Sequence, residues 1–389
     1  MKLAQRMADI RPFFVMEILS RAKTLEQQGR DIVHMEIGEP DFPTPPRILQ
    51  RLTMALQDGD IKYTPAGGLP ALRQAIAGFY LQRYSVRLDP ERVFITPGAS
   101  GALLLALAAL VNPGDEVGLA DPGYPCYPNF IRLFEGVPRW LPVDERDGYN
   151  LSAGCLTASG LERLAGIILA SPANPTGTVL SPDALRDLIG AVHARGGFVI
   201  SDEIYHGLEY GVRATSALQY SDAVFVINSF SKYFGMTGWR LGWVVVPEEA
   251  IEATERLAQN LFISAPTHSQ LAALAAFDPE NIQELERRRQ VFAERRAVLL
   301  AGLQRLGFHI RAQPEGAFYI YADASGVTND SRAFALALLE EEGVAVTPGL
   351  DFGQHSPERF LRFCFTASVG RIEEGLRRME RFIQRHPPT

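Results

Sequence analysis

The chain has 389 residues, 47% hydrophobic and 21% charged. That composition excludes a disordered polymer and, at roughly 100–200 residues per domain, leaves room for two or three domains. Thirty-eight basic against 45 acidic residues leave a net charge of −7, which gives no long-range attraction to nucleic acid or to an anionic membrane, so neither is expected as a partner. The three cysteines, Cys126, Cys155 and Cys364, form no CxxC pair. No disulfide framework or zinc site is expected, which fits a reducing cytoplasm and small hydrophobic roles for the thiols.

The N-terminal stretch scatters its charges and has no apolar core, so it does not read as a secretory leader. Val93–Thr96 reads as a strand, followed by an apolar helix over 101–110. The longest apolar run, Ala102–Val111, is about half of a bilayer span. Glu116–Ala120, Gly166–Ala170, Phe198–Ser201, Val224–Asn228 and Leu241–Val246 repeat the continuous apolar signature of buried strands. A helix over Pro182–Arg195 is marked by Ser181 at the N-cap and Pro182 at the first helical position. Strands of this kind separated by helices predict an α/β domain over 47–277, its mostly parallel sheet sandwiched by helices.

Beyond Phe277 the pattern changes. One long polar helix is expected over Pro279–Leu306, with Arg287, Arg288 and Arg289 on a solvated face. Strands near Phe308–Arg311, Ala317–Ala322, Val344–Thr347 and Phe360–Thr366, and helices near Ser331–Glu342 and Ile372–Arg385, suggest a smaller α+β domain. It would join residues 278–389 to 1–46.

Only four of the 38 basic residues are lysines: Lys2, Lys23, Lys62 and Lys232. A lysine, unlike an arginine, can become a neutral amine and act as a nucleophile. Lys232 lies in Asn228-Ser-Phe-Ser-Lys-Tyr-Phe-Gly-Met-Thr-Gly-Trp-Arg-Leu-Gly242, where a buried strand ends in a loop of hydroxyls, glycines and one arginine. Loops at strand C-termini are where open α/β sheets bind ligands. Ser229, Ser231 and Arg240 would supply donors for a dianionic phosphate. The Gly98-Ala99-Ser100-Gly101 turn would bring backbone N–H groups to an anion at a helix N-terminus. Arg362 interrupts the apolar run Phe360–Phe365, where an unpaired guanidinium is costly; a fold partner or a ligand carboxylate has to meet it. The seven histidines show no metal spacing, and no metal is expected.

The lysine segment resembles that of the class I/II, fold-type I aminotransferases that depend on pyridoxal phosphate. The resemblance extends over nearly the whole chain: Gly38-Glu-Pro-Asp-Phe-Pro-Thr-Pro45, Tyr63-Thr-Pro-Ala-Gly-Gly68, Thr96-Pro-Gly-Ala-Ser-Gly101, Asp121-Pro-Gly-Tyr-Pro125, Asn174-Pro-Thr-Gly177 and Ser201-Asp-Glu-Ile-Tyr205 follow in order. It implies a ping-pong transfer of an α-amino group from an L-amino acid to a 2-oxo acid, with Lys232 as Schiff-base lysine and proton-transfer base. Asp202, at the end of its strand, would hold the proton on the cofactor's ring nitrogen; Glu203 would point the opposite way. Tyr205 and Asn174 would hydrogen-bond the phenolate oxygen, and Tyr124 would stack on the ring. Gly98, Ala99, Ser100, Ser229, Ser231 and Arg240 would hold the phosphate. Tyr63 would reach the phosphate of a neighbouring subunit, which implies a homodimer with shared sites. Arg362, with Asn174 and Gly38, would take the substrate α-carboxylate. In the family the N-terminal segment covers the site, and here Ile10–Ile18 is apolar apart from Arg11 and Glu17, so neutral donors are expected to exceed aspartate. The same scaffold also carries C–S β-lyases and related eliminating enzymes and, more remotely, aminotransferase-like ligand sensors.

Overall fold

Among the described residues, which are all except 2, 11, 60, 159–163 and 388–389, twelve strands form three sheets in this computed structural model. In chain order the strands are β1 Val33–His34, β2 Val93–Thr96, β3 Glu116–Asp121, β4 Val137–Pro142, β5 Leu164–Ala170 and β6 Phe198–Asp202. They continue with β7 Phe225–Ser229, β8 Gly242–Val245, β9 Tyr319–Asp323, β10 Val344–Ala345, β11 Thr347–Pro348 and β12 Phe360–Cys364. The seven-stranded sheet has the order β2-β8-β7-β6-β5-β3-β4. Every pairing in it is parallel except those of β8, which runs antiparallel to both β2 and β7.

Burial explains the continuous apolar strands. Helix Gly98–Leu110 packs its Ala102, Leu103, Ala106 and Leu107 in one core layer with Ile200, Ile227 and Val244. Helix Pro182–His193 buries Leu185, Leu188, Ile189 and Val192 in the other layer. With both faces covered there is no polar alternation to read. Ser181 accepts from Ala184 N–H at 3.2 Å, so the cap and the proline fix this helix start.

The smaller sheets are β1-β10, parallel, and β11-β12-β9, antiparallel. Around them lie helices Phe14–Gln27, Pro279–Arg305, Ser331–Glu342 and Val369–Arg385. Several expectations need correction. The segment Phe308–Arg311 is not a strand; only His309 pairs, with Asp323. Arg288 is not solvated: it is 8% exposed and donates to Glu284 and to the Pro43 carbonyl at 2.8 and 2.7 Å. One heptad on, Arg295 binds Asp41 at 2.7 and 2.9 Å. Spacing by seven puts both arginines on the helix face that meets the 41–45 loop. Cys364 is buried, but Cys126 and Cys155 are only half-buried. The expected turn at 98–101 is already the first turn of its helix. No helix among the described residues is long and apolar enough to cross a membrane.

Candidate active site

A cavity of about 360 Å³ opens at the C-terminal ends of the parallel strands of the large sheet and is closed on its other side by residues 36–38 after β1 and by β9 and β12. Strand order explains the convergence. β2, β3, β5, β6 and β7 point the same way, so the residues just after them (Ala99 and Ser100, Tyr124, Asn174, Ile204 and Tyr205, Ser231 and Lys232) share one rim.

Lys232 reaches across this cavity and donates from Nζ to the Gly38 carbonyl at 2.7 Å. Its ammonium lies 5.7 Å from the Phe318 ring and 6.0 Å from the Tyr205 ring. Burial brings its pKa down to about 8 from 10.5, with Glu39 opposing the shift and Arg362 and Arg240 assisting it. Gly38 is required by space: a Cβ there would collide with the Tyr319 hydroxyl.

Asp202 is 4% exposed at the end of β6. Its Oδ2 accepts from Tyr127 O–H at 2.6 Å and its Oδ1 from Ile204 N–H at 3.1 Å. Burial pushes it up to about 6, against the pull of those donors and of Lys232. Glu203 faces away, as strand alternation requires, and accepts from Ser216 Oγ and Ala217 N–H at 3.1 and 2.8 Å. It is pushed up to about 8, mainly by burial.

Gly98 has φ +72°, and a Cβ on it would lie 2.7 Å from Arg240 Nη2. The guanidinium therefore lies over the opening turn of helix Gly98–Leu110, where free N–H groups and the dipole favour an anion. Ser229 Oγ accepts from Ser231 N–H at 3.0 Å, which curls the loop after β7 toward the same place. Tyr124 lies edge-on to Tyr127 at 5.2 Å.

Arg362 is 5% exposed on β12. Its guanidinium donates to Asn174 Oδ1 at 2.9 Å and to the Glu36 carbonyl at 2.6 Å, and lies 4.4 and 4.7 Å from the Tyr319 and Phe352 rings. Its hydrogen bonds among the described residues reach no carboxylate, and its Nε has no hydrogen-bond partner. Tyr205 O–H meets Tyr319 O–H at 2.8 Å. Tyr63, by contrast, is 80% exposed and lines a different surface hollow with residues 264–267. All the other expected site residues border the cavity or its anion end. Tyr127, Tyr319, Asp351 and Phe352 belong there too and carry no sequence motif of their own; only the spacing of Tyr124 and Tyr127 by one helical turn hints at one of them.

A family model described as aminotransferase class I and II matches residues 30–379. The chain belongs to that family. It is a pyridoxal-phosphate-dependent aminotransferase, passing the amino group of an L-amino acid to a 2-oxo acid. Valine–pyruvate aminotransferase of Mycobacterium tuberculosis is 40% identical over 374 residues, 96% of each chain. An aminotransferase structure from M. tuberculosis has a TM-score of 0.96 at 39% identity, covering 99% of this chain and 100% of that one. Aspartate aminotransferase of Thermus thermophilus with maleate has a TM-score of 0.92 at 31% identity, covering 98% and 99%. The donor set of this aminotransferase fits the cofactor: an anion-receptive helix start beneath Arg240, a buried carboxylate at Asp202, and a lysine amine between them and Arg362.

Proposed function

We propose that this aminotransferase takes neutral amino donors, with Arg362 gripping the α-carboxylate. The observation that carries the reading is the buried Arg362 guanidinium, which is oriented by Asn174 and two aromatic rings yet hydrogen-bonds to no carboxylate among the described residues and has one unpartnered nitrogen. Such a group stays costly until a planar anion arrives.

The cofactor, when bound, supplies the electron sink that stabilises charge at the substrate Cα as its proton leaves. The helix start at Gly98, Ala99 and Ser100, with Ser229, Ser231 and Arg240, would hold its phosphate. Asp202 would keep a proton on the ring nitrogen, and Tyr127 would hold Asp202 in place. Tyr205 and Asn174 would bind the phenolic oxygen, and Tyr124 would cover the ring. Lys232 would hold the cofactor covalently and, once released as a neutral amine, would move the Cα proton. Gly38 admits that amine and the substrate together. The partner subunit's Tyr63 would complete the phosphate site in a homodimer. A division into a domain over 47–277 and a second over 1–46 with 278–389 is supported by the strands, since β2–β8 share one sheet and β1 and β9–β12 make up the other two. Three widely separated cysteines with no CxxC pair suit a reducing compartment, for which we propose the cytoplasm.

Neutral donors are favoured by the wall of the cavity. Phe13, Val15, Met16 and Ile37 line it, together with Asp351. Lys232, Arg240 and Arg362 are the only cations among its described lining residues, and each has a task. A distal carboxylate would stand unpaired in the same cavity as Asp351. Arg11 lies outside the described residues. The relative named for valine and pyruvate points the same way. Half-reaction rates with valine, leucine, alanine, phenylalanine and aspartate test this: the neutral donors should exceed aspartate in kcat/KM by about tenfold or more. Aspartate running well ahead of all four would overturn it.

A further inference from the structure

Helix Phe14–Gln27 opens with no cap of its own, because Phe13 at its N-cap position offers no side-chain acceptor. The first N–H groups of a helix have no partner within it, so an acceptor must come from elsewhere. Asp351 supplies it from the far end of the chain. Its Oδ1 accepts from Phe14 N–H at 2.7 Å and its Oδ2 from Val15 N–H at 2.8 Å. A carboxylate here also meets the positive end of the helix dipole.

The loop that carries Asp351 is tied down on two further sides. Phe352, the next residue, covers Arg362 at 4.7 Å and accepts at its carbonyl from Gly123 N–H at 2.7 Å. Gln354 N–H donates to Asp121 at 3.0 Å. One loop thus joins the start of the N-terminal helix, the guanidinium of Arg362 and the end of β3. Phe13, Val15 and Met16, beside the capped N–H groups, form one wall of the cavity.

We propose that Asp351 is a positioning residue that latches the start of the N-terminal helix over the cavity and thereby sets the preference for bulky apolar donors. The proposal rests on the neutral-donor reading above. A leucine side chain needs that wall in place to lose its water, whereas the methyl group of alanine reaches it least. Loss of the latch therefore acts on the ratio of the two donors, which a general weakening of the fold does not change.

The test compares holoenzymes of the wild type, Asp351→Leu, which accepts nothing, and Asp351→Asn, which keeps the shape and one acceptor. Two quantities are read: the leucine-to-alanine ratio of kcat/KM, and the rate of chymotrypsin cleavage after Phe13 or Phe14. In Asp351→Leu the ratio should fall about tenfold, a change on the scale of lost apolar pocket contacts. Cleavage should accelerate, and Asp351→Asn should lie between the two. An unchanged ratio with unchanged cleavage overturns the latch, and so does an equal loss with both donors at an unchanged cleavage rate. If Asp351→Leu does not fold, the Asn variant decides by the same two readings. A wild type that prefers aspartate to leucine would sink the donor reading instead; the cleavage rates would then decide the latch alone.

Discussion

A lysine amine enclosed by protein loses the water that stabilises its charge, and for Lys232 this outweighs the attraction of Glu39. The folded pKa, about 8, lies below the ordinary 10.5, so the sign of the pH effect is fixed. Below about 8 the cofactor-free fold carries the full cost of a buried ammonium. Between about 8 and 10.5 that cost is relieved as the folded amine loses its proton first, so this residue's contribution to stability rises with pH. Replacing Lys232 by Met removes the cost. Denaturant unfolding of the cofactor-free proteins should find Lys232→Met more stable at neutral pH by about 2–3 kcal/mol, and the difference should fade above pH 10.5. Equal stability at neutral pH would mean that the amine is charged in the fold without penalty. The same shift suits a group that has to be a neutral nucleophile near neutral pH.

At the scale of the elements, the start of helix Gly98–Leu110 is the most exacting. Gly98 combines a left-handed backbone with a Cβ direction blocked by Arg240, so Gly98→Ala would strain the backbone and displace the guanidinium together. Equilibrium dialysis should show cofactor affinity weaker by about tenfold or more, since strain of 1–2 kcal/mol adds to a lost contact. Unchanged affinity would place the anion site elsewhere. This element was legible because a strand, a glycine turn and an apolar helix follow one another in the chain. Arg362 was legible for a related reason: a charge inside an apolar strand asks for a partner. The antiparallel direction of β8 was not read. The segment between Ser229 and Gly242 holds only the short 3-10 turn Thr237–Trp239 and no crossover helix, which its hydroxyl- and glycine-rich composition does not by itself announce. β4 was missed because Pro138, Arg139 and Pro142 disguise it, and an edge strand tolerates all three. Tyr319 and Asp351 reach the cavity from separate elements, and no local pattern announces contacts that only tertiary packing creates; Tyr127 has only its one-turn spacing from Tyr124 to mark it.

At the scale of the whole molecule, Tyr63 is the outlier. It is 80% exposed and away from its own cavity, beside Ile61, which is 37% exposed. A tyrosine with a binding role in that position requires a second copy of the chain. Complementation tests this: Tyr63→Ala and Lys232→Ala chains, each defective alone, are unfolded and refolded together. Randomly mixed dimers would be half hybrids with one intact site of two, giving about a quarter of wild-type activity. A mixture no more active than the mean of its parents would mean that the site is complete within one chain.

Which amine holds the cofactor is directly measurable, because lysines are scarce in this chain. Borohydride reduction of the holoenzyme, followed by peptide mass mapping, locates the pyridoxyl group among four candidates: Lys2, Lys23, Lys62 and Lys232. The label should fall on Lys232 and on no other lysine. A label on Lys62, Lys23 or Lys2, with Lys232 unmodified in an enzyme that still turns over, would contradict it.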